Sequence, residues 1–163
     1  MEPAVSPPRL ETERLVLEPV SLEIARAVAG GDLSALAVAE GWPHEDTLDA
    51  MSIVTQPDAG AVWLIARGGR VIGDCGTSGS PDPSGAVEIG YGLATTARGH
   101  GYATEAVRAV CEWLFAQPEV TRITAVDVLA GNRASRRVLE RLGFYVIGET
   151  DHHVSYALTR RAT

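Results

Sequence analysis

The residues best placed to do chemistry lie in one run, Thr95-Thr96-Ala97-Arg98-Gly99-His100-Gly101-Tyr102-Ala103-Thr104-Glu105-Ala106. From Tyr102 onward, Ala103, Ala106, Val107, Val110, Cys111 and Leu114 recur at helical spacing, with Glu105, Arg108 and Glu112 on the opposite face. A glycine-containing loop therefore opens directly into a helix. The first turn of a helix carries N–H groups with no partner and the positive end of the dipole, and glycines just before it let an anion approach the backbone. That is chemistry for holding a phosphate. Neither common phosphate signature fits, because no Gly-Lys-Ser/Thr ending is present and Thr104 stands where a dinucleotide fingerprint needs glycine or alanine.

A second chemical group sits just upstream. In Ala86 to Leu93, Val87, Ile89, Tyr91 and Leu93 share one face of a strand, while Glu88, Gly90 and Gly92 share the other. No bulky neighbour shields Glu88 on that face, so its carboxylate is a candidate proton acceptor, although a carboxylate on a strand is more often solvated surface. Gly90 and Gly92 are poor strand formers, which gives a motive for a bulge or a close backbone approach. His152-His153 are adjacent on a strand and point to opposite faces, so a shared metal is not expected. His100 reads as a loop spacer.

The elements that must position these groups follow from the pattern. Arg14 to Val20 reads as a first strand, and Ser21 caps a helix whose apolar Leu22, Ala25, Val28 and Ala29 keep helical spacing, stopped by Gly30-Gly31. A short helical piece is expected over Leu33 to Ala39, followed by Gly41-Trp42-Pro43-His44-Glu45-Asp46 and another helix through about Thr55. Val62 to Arg67 and Val71 to Cys75 flank Gly68-Gly69, a two-residue hairpin signal. Gly79 to Gly85 is a surface loop. Val120 to Leu129 reads as a strand apolar on both faces. Asn132 caps a helix with Ala134, Val138, Leu139 and Leu142 inward and Gly143 as its stop, and Phe144 to Ile147 and Val154 to Leu158 are the last strands. This order implies a mixed sheet with helices on both faces, in a single domain over residues 1–163.

Composition narrows the class. With 163 residues, 45% of them hydrophobic, the chain can bury a proper core, and no run approaches a membrane span. A soluble, cytoplasmic protein is the expectation. A net charge of −7 argues against nucleic acid as a partner and suits a cationic acceptor. An anionic ligand must then be held locally, and Arg98, Arg133, Arg136 and Arg137 cluster where it would lie. Cys75 and Cys111, without a CxxC, are expected buried and reduced.

The arginine-x-x-glycine-x-alanine pattern of Arg98, Gly101 and Ala103 resembles the acyl-CoA-binding motif of the GCN5-related N-acetyltransferases (GNAT). Thr12 to Pro19, Glu88-Ile89-Gly90-Tyr91, Tyr102 to Ala106, Asn132 to Ser135 and Leu142-Gly143-Phe144 are similar to the branch containing the ribosomal-protein N-terminal acetyltransferases. The resemblance covers nearly the whole chain in the right order. It implies an α/β fold with a mostly antiparallel central sheet and one splayed parallel strand pair. It also implies acetyl-CoA as acyl donor, with the backbone of Gly99, Gly101, Tyr102 and Ala103 on the pyrophosphate, charge from Arg98 and Arg137, a contribution from Asn132, and pantetheine held by the Leu93 backbone.

By the same resemblance Glu88 is the general base and Ser135 the candidate general acid. Many family members have a tyrosine seven residues after the asparagine, and here that position is Leu139. The helical excursion after the first strand would form a wall of the acceptor site, making Trp42 and His44 candidate substrate contacts, though a tryptophan beside a proline is also an ordinary packing group. The expected reaction is direct transfer of acetyl to a primary amine, with a protein or peptide N-terminus as acceptor. A small amine such as an aminoglycoside, a polyamine or a toxic metabolite is the alternative acceptor. Leu139 keeps open a catalytically silent acyl-CoA-binding module. Homodimers are frequent in the branch, but the sequence signals no interface.

Overall fold

The structure is a computed structural model that describes residues 7–43, 47, 51 and 60–160. Its clearest local signal is a hairpin. Strand β3 (Val62–Arg67) turns through Gly68-Gly69 into β4 (Arg70–Thr77), and both glycines have positive φ, 58° and 78°, as a two-residue hairpin turn demands. Before it come β1 (Leu10–Glu11), β2 (Val16–Pro19) and helix α1 (Leu22–Ala29), where Ser21 Oγ accepts the Ile24 N–H as the cap. After it come β5 (Ala86–Leu93), α2 (Tyr102–Phe115), β6 (Arg122–Leu129), α3 (Arg133–Arg141), β7 (Tyr145–Glu149) and β8 (His153–Thr159).

The strands form one sheet in the order β1-β2-β3-β4-β5-β6-β8-β7. All neighbours are antiparallel except β5 and β6, which run parallel. The parallel pairing covers only Ala86–Arg122, Val87–Ile123 and Glu88–Thr124. Beyond Glu88 the two strands part.

Register sorts the side chains by face. Leu17 opposes Ile65, Ile65 opposes Gly73 and Gly73 opposes Leu93, while Trp63, Cys75 and Tyr91 line up beside them. This face packs under α2, whose Ala106, Val107, Val110, Cys111 and Leu114 are buried, and Trp63 meets Trp113 edge to face at 5.2 Å. On the other face Leu64, Asp74 and Gly92 align. Asp74 there accepts from the Trp42 indole at 2.8 Å and from the Thr47 hydroxyl at 2.7 Å.

Several expectations need correction or bounding, and Ala134, grouped by spacing with the inward stripe of α3, is exposed beside the groove between α2 and α3. Leu33 to Ala39 is not helical. Asp32 folds it into a turn by accepting the Ser34 N–H and hydroxyl, and Ala37 and Ala39 then bond the backbone of Val71, the part of the β4 edge that β5 no longer reaches. The strand through Val120 to Leu129 is buried at Ile123 and Ala125, but Val126 and Leu129 are exposed because β5 has turned away. No bulge occurs at Gly90 or Gly92, and the bulges lie at Ile65/Ala66, Ala125/Val128 and Val146/Gly148. The helix expected after Asp46 through about Thr55 falls mostly outside the described residues, although Thr47 and Met51 within it are helical and buried.

Candidate active site

The loop between β5 and α2 is shaped by two left-handed residues, Gly99 at φ 83° and Gly101 at φ 81°. An L side chain at either would be strained, so the glycines are there for the backbone they permit. Gly101 is the N-cap of α2 and offers no side-chain cap. The helix ladder starts at Glu105, which donates its N–H to the Gly101 carbonyl. Among the described residues, the N–H groups from Gly99 to Thr104 have no hydrogen-bond acceptor in the protein. Six consecutive donors at the positive end of a fourteen-residue helix make an arrangement suited to an anion.

This loop is clamped by groups that the sequence did not single out. Arg14 donates Nε to Glu105 and Nη1 to the His100 carbonyl, while Thr12 and the Arg14 backbone N–H also donate to the Glu105 carboxylate. Burial alone would raise the Glu105 pKa, but these donors outweigh it and hold the carboxylate below its ordinary value. The Arg14 and Arg67 guanidinium groups lie over the Tyr102 ring at 4.6 and 5.3 Å, and His100 stacks beside that ring. The signal available in the sequence was Glu105 in the first helical turn with Thr12 and Arg14 far upstream, and only the fold joins them.

From the loop a cleft of about 380 Å³ runs between β5, α2 and α3. It brings together Leu93, Arg98, Gly99, Gly101, Tyr102, Ala103, Asn132, Arg137 and Ser135. Arg98 donates Nε to the Leu93 carbonyl at 3.4 Å, tying strand end to loop. Ala94 donates to Ile72, which makes Gly73–Leu93 a non-hydrogen-bonded pair and turns the Leu93 N–H and C=O away from β4 into the splay. The same alternation turns the Tyr91 backbone that way. An extended chain with amide groups fits beside this open ladder. Asn132 caps α3 by accepting the Ser135 N–H at 3.1 Å, and Arg136, grouped with the anion-binding arginines by sequence, instead bonds the Tyr156 hydroxyl and the Ala130 carbonyl.

Glu88 lies outside that cleft, on the opposite face of β5, exposed. A Cβ added at Gly90 would meet nothing within 4 Å, so open space adjoins the carboxylate. Partial burial and then the negative charge of Asp127 raise the Glu88 pKa. No motif or spacing in the sequence points to Asp127. It sits in the β6 bulge at φ 54°, its N–H donated to Ser155 Oγ, and no strand pattern foretells that conformation.

Ser135 faces Tyr91, whose hydroxyl lies 2.8 Å from Ser135 Oγ. Burial pushes Tyr91 up to about 12, so it stays a neutral phenol. Its hydroxyl on the apolar face Val87-Ile89-Tyr91-Leu93 was the legible hint. Leu139 is fully buried, so this position points into the core. Trp42 is 4% exposed and donates its indole N–H to Asp74, the setting of a packing group. His44 lies outside the described residues. Cys75 and Cys111 are buried, with both thiols pushed up by that burial, Cys111 to about 12.

Residues 14–145 match the family described as Acetyltransferase (GNAT) domain. Over 149 residues the chain is 29% identical to an uncharacterised N-acetyltransferase, YjdG, of Bacillus subtilis strain 168, covering 83% of this chain and 88% of that one. Among solved structures it is similar to RimL, the ribosomal L7/L12 alpha-N-protein acetyltransferase in complex with coenzyme A, with a TM-score of 0.68 and 19% identity over 91% of this chain and 95% of RimL. It is also similar to the aminoglycoside acetyltransferase AAC(6')-Ib in complex with coenzyme A, with a TM-score of 0.65 and 22% identity over 90% and 95%.

Proposed function

The chain belongs to the GNAT acetyltransferase domain family, and from that premise we propose that it transfers acetyl from acetyl-CoA to the N-terminal amine of a protein or peptide. One observation carries the donor reading. The unpaired donors from Gly99 to Thr104 open onto the cleft that also holds Arg98, Arg137 and the outward backbone of Leu93, an arrangement suited to a pyrophosphate with an amide-bearing arm. The acceptor reading rests on Glu88-Ile89-Gly90-Tyr91 and Asn132 to Ser135, which resemble the ribosomal-protein branch.

Bound acetyl-CoA supplies the activated acyl group. The chain supplies the rest. The loop N–H groups bind the phosphates, and the Leu93 N–H, facing the splay, offers a donor to a carbonyl oxygen as charge develops on it. Glu88, with its raised proton affinity, takes a proton from the incoming ammonium through the open space at Gly90. Ser135, in the first turn of α3, offers its hydroxyl to the departing sulfur at the positive end of that helix. The two buried cysteines are held as thiols, so the acetyl passes directly to the amine rather than through an enzyme thioester.

The test is acetyl-CoA-dependent thiol release against a panel of N-terminal peptides, aminoglycosides and polyamines. Turnover on peptides is the expected result. Turnover only on a small amine overturns the acceptor. A silent panel in which acetyl-CoA still raises the melting temperature points to a binding module instead.

A further inference from the structure

Two hydroxyls in the cleft share a geometry that a single hydrogen-bond assignment does not exhaust. The Tyr91 oxygen lies 2.8 Å from Ser135 Oγ and 3.1 Å from the Ser135 carbonyl oxygen. Each hydroxyl has one proton. In one arrangement Tyr91 donates to the carbonyl and accepts from Ser135 Oγ, which aims the Ser135 proton at the phenol and away from the cleft. In the other Tyr91 donates to Ser135 Oγ, and the Ser135 proton is free to face the cleft. Only the second presents a donor to a leaving group.

We propose that Tyr91 is the positioning residue that turns the Ser135 hydroxyl proton toward the departing sulfur, giving up its bond to the Ser135 carbonyl for one to Ser135 Oγ. The proposal rests on the reading of Ser135 as the thiolate's hydrogen-bond donor. Three observations favour it. The carbonyl that Tyr91 leaves belongs to the α3 ladder and keeps a partner there. Tyr91 and Ser135 both line the cleft that holds the phosphate loop. Leu139, buried in the core, leaves no hydroxyl on α3 at its position to do the same work.

Burial holds the phenol protonated through the working pH range, so Tyr91 orients rather than ionises. The balance is simple. The carbon–nitrogen bond forms, the carbon–sulfur bond breaks with its electron pair going to sulfur, and the proton that sulfur finally carries is the one the nitrogen loses in becoming an amide. Tyr91 and Ser135 end with their own protons.

The experiment compares steady-state kinetics of the full chain as wild type, Tyr91→Phe, Ser135→Ala and the double variant. Tyr91→Phe is expected to lower kcat about tenfold while the acetyl-CoA KM stays within about twofold, and the double variant is expected to be no slower than Ser135→Ala alone. Wild-type kcat in Tyr91→Phe, or losses that multiply in the double variant, would falsify the proposal. Because removing the hydroxyl also removes a packing contact, the same variants are assayed with the acetyl selenoester of coenzyme A, whose leaving group is a weaker base. Recovery of Tyr91→Phe to near the wild-type rate supports orientation of the Ser135 proton, and a deficit that persists overturns it. A full rate in Ser135→Ala removes Ser135 from the reaction and this proposal with it. A wild type silent toward every amine is the separate failure of the acetyltransferase reading, and the proposal falls with that too.

Discussion

Arg14 and Glu105 meet at the base of the glycine loop before α2, Nε to Oε1 at 2.7 Å, and the same carboxylate takes the Arg14 backbone N–H at 2.9 Å. The segment entering β2 is thereby fixed to the first turn of α2. The other arm of Arg14 holds the His100 carbonyl at 2.9 Å, so one guanidinium registers both strand and loop.

Replacing Glu105 with Ala leaves three donors without their acceptor. A loss of about 1–2 kcal/mol is expected after discounting for the solvent that reaches Arg14, or roughly 3–6 °C in melting temperature. Because the Glu105 pKa is lowered by folding, its contribution is present above the ordinary carboxylate value and disappears as pH falls through the depressed one. Thermal melts of wild type and variant should therefore converge on acidification below about pH 4.

Glu88→Gln should lower kcat by about a hundredfold or more while leaving acetyl-CoA affinity within about twofold, because the carboxylate lies outside the donor cleft. Its raised pKa means that ionised Glu88 opposes folding above the ordinary glutamate value, so the variant should be no less stable at neutral pH. Removing the nearby charge by Asp127→Asn should move the acid limb of the kcat/KM profile to lower pH. An unmoved limb would exclude Glu88 as the group titrating there.

Gly101→Ala places a side chain at φ 81° and against Arg14 Nη2 at 3.4 Å, whereas Gly99→Ala at φ 83° meets open space. Each should cost about 1–2 kcal/mol in backbone strain. Both should raise the KM for acetyl-CoA more than that for the amine, which initial-rate kinetics with each substrate varied in turn will separate.

Local signals in the sequence carried much of this arrangement. The glycines of the loop, the Asn132 cap and the Gly68-Gly69 turn each encode a backbone conformation within a few residues, and each is found where the pattern puts it. The same holds for the inward stripe of α2. What stayed hidden depends on long-range contact. Leu33 to Ala39 has helical spacing but is captured by the free edge of β4, so tertiary pairing overrides propensity. Trp42 is drawn inward by Asp74, 32 residues away. The nearness of Asp127 to Glu88 depends on a bulge, which leaves no periodic trace. Arg136 differs from Arg137 by one position on a helix, and that rotation decides whether a guanidinium faces Tyr156 or the cleft.

The short parallel pairing of β5 with β6 has a mechanical meaning. Its three residue pairs are the backbone seam between a five-strand plate and a three-strand plate. Past that seam no ladder joins the plates among the described residues, which leaves the angle between them to side-chain packing such as that of Cys111 and Leu139 beneath α2 and α3. The width of the slot is therefore a property of the core. A methyl group gained or lost beneath those helices is expected to act on a ligand in the slot as a change of aperture, although it would touch none of its atoms.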